Sequence, residues 1–198
     1  MGERVHVRKR GRMLEGMGTP VKKLLLNQFG GAVLGIMLSS AAMASRYLNL
    51  ATSILAIFFY LFLQYTTIWE TGARDRIRVD GGRAAENKWQ GLQIGLLANG
   101  PNILLAVLVI LLTVVGVLGQ WQWAGNADVV LTVIARFWQG MYNGVIIFVV
   151  PKGLSGVQTI LSTLIYAAII LPSLVVTAVG YRMGYMNRRI FPERKKKD

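Results

Sequence analysis

Apolar residues in this chain come in long continuous blocks, not in the alternation of a half-buried strand or the single stripe of a soluble helix. The longest block lies between Lys88 and Asp128. No charged residue interrupts it, and its centre reads GLQIGLLANGPNILLAVLVILLTVVGVLG. A helix of about 20 such residues crosses roughly 30 Å of hydrocarbon. Three further blocks have a similar character. The pattern predicts an all-α membrane protein with about four transmembrane helices, over 24–44, 47–69, 90–119 and 157–180. They form a single polytopic domain from 24 to 182, flanked by basic tails at 1–23 and 183–198.

Local punctuation refines each span. Only Ser45 and Arg46 separate the first two, so they predict a tight antiparallel hairpin. Ala42-Met43-Ala44 has the form of a signal-peptidase site. The long basic flank, the interruption by Asn27 and Gln28, and the immediate start of the next span favour an uncleaved helix. Asn99-Gly100-Pro101-Asn102 breaks the third span, because proline lacks a helix donor and clashes with the preceding turn. It predicts a tilted, kinked helix, or a short helix followed by a spanning helix from Pro101. Pro172 predicts a kink in the last span, and Trp69, Trp121 and Trp123 fit interfacial aromatic belts.

Residues 128–150 are long enough to cross. However, Asp128, Thr132, Arg136, Gln139 and Asn143 recur three or four positions apart, which places them on one stripe of a helix. A helix of that kind over 128–143 is expected at the outer interface, or as a re-entrant segment.

Charge decides the topology. The 198 residues carry a formal net charge of +13. With four crossings, both termini and the 70–89 loop share the cytoplasmic side, and only Arg46, Arg136 and Lys152 lie outside among the basic residues. With a fifth crossing, the basic C-terminus would lie outside, against the positive-inside rule. Arg136 would then sit near the bilayer centre, at about 2.5–3.5 kcal/mol on insertion scales. The expectation is therefore four spans plus one outer amphipathic helix, with N- and C-termini cytoplasmic, in a bacterial-type cytoplasmic membrane. The expected partners are the lipid bilayer, with anionic lipids at the cytoplasmic face, and a membrane-protein partner or a second copy of the chain. No nucleic acid is expected, since membrane flanks account for the basic charge.

Candidate chemistry is sparse. There are no cysteines, and the one histidine, His6, lies in the basic N-terminal tail. No ionisable residue falls inside the four predicted spans, which argues against proton coupling. Gly31, Gly35 and Ser39 lie four apart, as do Gly91 and Gly95, forming small-residue faces for helix packing. Asn99, Pro101 and Asn102 are the candidate pathway residues, since a broken helix beside amides resembles those that line transporter sites. Arg74, Asp75, Arg76 and Asp80 read as a salt-bridged cap on the cytoplasmic loop.

That loop also invites comparison with the CDP-alcohol phosphotransferases. Gly72-Ala73-Arg74 and Asp80-Gly81-Gly82 stand in the wrong order for that pattern, and the downstream paired aspartates are missing. No cofactor or metal site and no catalytic residue is expected. The sequence therefore points to an accessory, scaffold or regulatory subunit of a membrane complex without enzymatic activity. The alternative is a transporter or channel subunit with its path near the Asn99–Asn102 break.

Overall fold

The computed structural model describes residues 2–151 and 153–188, with residues 2–17 described in backbone only. Among the described residues the chain is helical and without strands. The helices are α1 (Gly2–Ala41), α2 (Arg46–Asp80), α3 (Gln90–Ala98), α4 (Gly100–Gly119), α5 (Gln122–Trp138), α6 (Asn143–Val149), α7 (Val157–Thr163), α8 (Ile165–Ala168) and α9 (Leu171–Tyr185). A 3₁₀ turn, Gly140–Tyr142, joins α5 to α6. Four segments are long and apolar enough to cross a membrane: Gly18–Ala41, Arg46–Asp80, Gly100–Gly119 and Val157–Tyr185. Their outer surfaces carry large apolar side chains, among them Phe58, Phe62, Leu104, Leu111 and Val175. The buried interior holds both polar and apolar groups.

Contacts between distant residues set the helix directions. Ser39 Oγ donates to Asn49 Oδ1 at 2.9 Å and Asn27 Nδ2 to Thr67 Oγ1 at 3.0 Å, so α1 and α2 are antiparallel. Gln64 Nε2 donates to Ser173 Oγ at 2.9 Å and Tyr181 Oη to Asp75 Oδ2 at 3.2 Å, so α9 runs parallel to α2. Gln90 meets Asp75 and Asn99 meets Ser173, so α3 runs against both. Gly18, the 81–89 loop and Arg188 therefore lie at one end of the bundle, here called the loop end. The α1–α2 turn, Gln120 and Gly153 lie at the other, the hairpin end.

Two boundaries differ from the sequence expectation. The segment 70–89 reads as a loop, yet α2 continues through Asp80. Ion pairs at helical spacing, Arg74–Glu70 at 3.4 Å and Arg76–Asp80 at 3.5 Å, allow the polar turns to stay helical. The N-terminal stretch read as a tail is continuous with the first span in α1. The basic stretch 189–198 lies outside the described residues.

Segment 128–150 doubles back on itself as a helical hairpin. α5 runs antiparallel to α4, with Thr113 Oγ1 donating to Asp128 Oδ1 at 3.0 Å. It ends with the Trp138 ring 6.4 Å from that of Phe29. The chain reverses at Gly140, where an added Cβ would collide with Ala32 O and the Ile36 side chain of α1. α6 then returns to the hairpin end, where the Arg46 guanidinium donates to the Phe148 carbonyl and lies 4.6 Å from the Phe148 ring centroid. The expected single stripe does not survive this reversal, because Gln139 falls in the turn and Asn143 begins a new helix. Asp128 and Arg136 face α4 and α8, Arg136 Nε donating to Tyr166 Oη at 3.2 Å. Val129, Val133, Ile134 and Phe137 point outward.

The small-residue faces sit at helix crossings. A Cβ at Gly35 would collide with the Met141 backbone, and one at Gly31 would lie 3.2 Å from the Tyr60 ring. Gly91 and Gly95 face Tyr181 and Thr177 of α9, while Ser39 makes its hydrogen bond to Asn49. These crossings lie within one chain. Two further glycines, Gly72 and Gly184, let α2 and α9 touch backbone to backbone, against Tyr181 and Trp69 respectively.

Candidate functional site

Asn99 sits where the third apolar block breaks. Its backbone N–H donates to the Gly95 carbonyl at 2.9 Å and so ends α3. Pro101 occupies the first turn of α4, where the missing N–H has no intrahelical partner to lose. The break frees the Asn99 side chain to face inward, and the residue is 1% exposed. Asn99 Nδ2 donates to Gly95 O at 2.9 Å and to Ser173 Oγ at 2.8 Å. Its Oδ1 accepts from Asn102 Nδ2 at 3.1 Å. Ser173 Oγ also accepts from Gln64 Nε2, which in turn donates to Tyr60 Oη at 2.7 Å. A hydrogen-bonded chain thus runs from α2 through α9 to the α3–α4 break.

Two other chain breaks reach the same place. Gln139 and Tyr142 come from the α5–α6 turn, and Ile169 and Ile170 from the junction of α8 and α9. Pro172 begins α9 there; it does not bend a continuous helix. With Gln28 from α1, these residues enclose a cavity of about 10 Å³ beside Tyr60, Asn102 and Ser173, about the room that one water needs. Several buried polar atoms at this level have no hydrogen-bond partner among the described residues: Asn102 Oδ1, Gln64 Oε1, Tyr142 Oη and both amide atoms of Gln139. Each such atom costs roughly 1–3 kcal/mol if left unpaired.

The lining contains amides, hydroxyls and phenols but no carboxylate, ammonium or guanidinium. It can therefore hydrogen-bond an uncharged polar group, and it offers no carboxylate or amine for proton transfer. Among the described residues no cluster of His, Asp or Glu is placed to hold a metal ion.

The candidate pathway residues Asn99 and Asn102 both face this cluster, while Pro101 shapes the break from outside it. Sequence reasoning did not connect Ser173, Tyr60, Gln139 and Tyr142 with them. The available signal was weak: a serine directly after Pro172 and a glutamine directly before Gly140, each a polar residue beside a helix-breaking residue in apolar surroundings. The cap residues lie elsewhere, on the last turns of α2 at the loop end. There Asp75 accepts from Gln90 Nε2 at 2.8 Å, from Tyr181 Oη at 3.2 Å and from Arg78 at 3.4 Å, tying α2 to α3 and α9.

Among the described residues, an all-helical fold with four apolar helices of spanning length and a polar centre is consistent with a membrane protein. No family model, no curated protein and no solved structure matches this chain.

Proposed function

We propose that this is a polytopic integral membrane protein acting as a transporter or channel subunit for a small uncharged polar species, with the Asn99–Asn102 cluster as its contact point. One observation carries the reading: three separate helix breaks converge on a single cavity lined by buried polar atoms without partners. Discontinuous helices meeting at a polar centre are the usual way a membrane bundle exposes hydrogen-bonding groups to a solute. The neutral lining suits water, an alcohol or an amide in preference to an ion. In this reading the loop end, with both described chain ends, faces the cytoplasm of a bacterial-type membrane, and the α5–α6 hairpin enters from outside.

The cavity's small size favours a second reading. A closed polar core of this kind also suits a non-catalytic accessory or scaffold subunit, in which the network fixes helix register. One experiment separates the two. Reconstituted full-length protein is assayed for water, glycerol and urea flux by stopped-flow light scattering. The transport reading expects flux above that of empty vesicles and a change in flux in Asn102→Leu protein that remains folded. Background flux throughout, together with a partner protein held in fixed ratio on native mass spectrometry, would replace it with the accessory reading.

A further inference from the structure

The loop end contains a second feature, unrelated to the polar centre. A cleft of about 870 Å³ opens between the end of α2, the 86–89 segment and the end of α9. This lies within the usual range for small-molecule sites, about 300–1,000 Å³. Four cations line it, Arg76, Lys88, Arg182 and Arg188, against the carboxylates of Asp80 and Glu86. Asp80 is engaged by Arg76 at 3.5 Å. Among the described residues, Lys88, Arg182 and Arg188 have no carboxylate within ion-pairing distance. The cleft therefore holds an excess of positive charge that its own acidic groups leave uncompensated.

The fold anchors the backbone that carries one of these cations. α9 ends in a reversal at Asn187, which adopts φ +52°, a left-handed conformation that asparagine tolerates better than most residues. Arg188 N–H then donates back to Met183 O at 2.9 Å, and the Trp69 indole donates to Arg188 O at 2.8 Å. The Arg188 backbone is thus anchored at the edge of the cleft by two hydrogen bonds. Apolar groups share the lining: Trp89 is 69% exposed, and Met186 lines the cleft beside Tyr185. Indole rings of this kind settle at the headgroup level of a bilayer, and guanidinium pairs match phosphate oxygens bidentately.

We infer that this cleft is a binding site for a phosphate-bearing headgroup, with Arg182, Arg188 and Lys88 on the phosphate and Trp89 and Met186 against the glycerol and upper acyl chain of a lipid. The inference rests on the membrane reading of the bundle and is independent of the transport reading. It differs from a general attraction between the basic termini and anionic lipid, because it assigns the contact to particular folded residues.

The test uses full-length protein in mild detergent, with phosphatidic acid, phosphatidylglycerol and phosphatidylcholine added separately and retention read by native mass spectrometry. The expected result is retention of phosphatidic acid or phosphatidylglycerol over phosphatidylcholine. Retention should fall at least about tenfold in Arg182→Gln/Arg188→Gln protein, because two charge-assisted hydrogen-bond donors to the phosphate are lost. A control triple variant, Lys195→Gln/Lys196→Gln/Lys197→Gln, should lose far less. Equal losses in the two variants, or no preference among the lipids, overturns the inference. Glycerol 1-phosphate provides the second arm: displacement of the lipid would identify a soluble phosphate as an alternative source of the same headgroup chemistry.

If the double variant fails to fold, a photoreactive phosphatidic acid is crosslinked to the native protein. Adducts within 76–89 or 182–188 support the site, and adducts confined to the chain termini overturn it. Resistance of the protein to carbonate extraction from native membranes is checked first. Loss in that step would refute the membrane reading, whereas retention without selective lipid binding would refute this inference alone.

Discussion

Asn99 and Ser173 are 74 positions apart in the chain, yet the amide of one donates to the hydroxyl of the other at 2.8 Å. That bond joins the break between α3 and α4 to the first turn of α9. Through Gln64 it also reaches the middle of α2. Three helices are thereby held in register by short polar side chains inside an apolar bundle.

Ser173→Ala removes the shared acceptor of Asn99 and Gln64. Each donor keeps one other partner, Gly95 O and Tyr60 Oη respectively. The expected loss is therefore modest, about 0.5–1.5 kcal/mol, in the range measured for hydrogen bonds between membrane helices. It should appear as a lower midpoint in a detergent unfolding titration. No change would mean that the network contributes nothing to stability.

Glycine substitutions should divide sharply by position. A Cβ at Gly35 would strike the Met141 backbone, whereas one at the adjacent-face Gly30 meets nothing within 4 Å. Gly35→Leu is expected to yield aggregated or poorly expressed protein, while Gly30→Leu stays monodisperse on size-exclusion chromatography. Equal behaviour would contradict the close packing of the α5–α6 turn against α1.

The Asp75–Tyr181 bond should show coupling. Asp75→Asn and Tyr181→Phe each weaken a contact between α2 and α9. Groups in direct contact typically couple by about 0.5–3 kcal/mol. The double variant should therefore be more stable than the sum of the single losses implies, as read by chemical unfolding. Strict additivity would mean that the two groups act separately.

Sidedness can be read with introduced cysteines, since the chain has none of its own. Ser45→Cys and Gly153→Cys lie at the hairpin end, and Glu86→Cys at the loop end. An impermeant maleimide added to intact cells should label the first two and spare the third. If Ser45→Cys and Gly153→Cys label from opposite sides, the α5–α6 segment does not return to the end from which it entered.

Part of this architecture follows from the sequence alone because the solvent requirement is so strong. Uncharged blocks of about 20 residues have few stable states other than membrane-length helices. The break at Asn99–Pro101 is also local chemistry, since proline's missing donor acts wherever the chain folds. The continuation of α2 through Asp80 was harder to foresee, because arginine, aspartate and glycine there suggest a loop as readily as a helix. Ion pairs between successive turns, together with Tyr181 and Gln90 on Asp75, resolve that ambiguity. The 128–143 stripe misleads for a related reason. Periodicity shows which residues share a face, but not that Thr113 and Tyr166 will supply polar partners for that face.

Composition and spacing by themselves determined the helical class, the helices of membrane length and the position of the first break. Each depends on neighbours in the chain, where hydrophobicity and backbone donors act directly. Only the tertiary structure decided that Gln64, Asn99, Gln139 and Ser173 meet at one centre, and that Lys88, Arg182 and Arg188 share one cleft. Those groups converge from separate stretches of the chain, and their meeting depends on which glycines permit backbone contact and where each chain reversal falls.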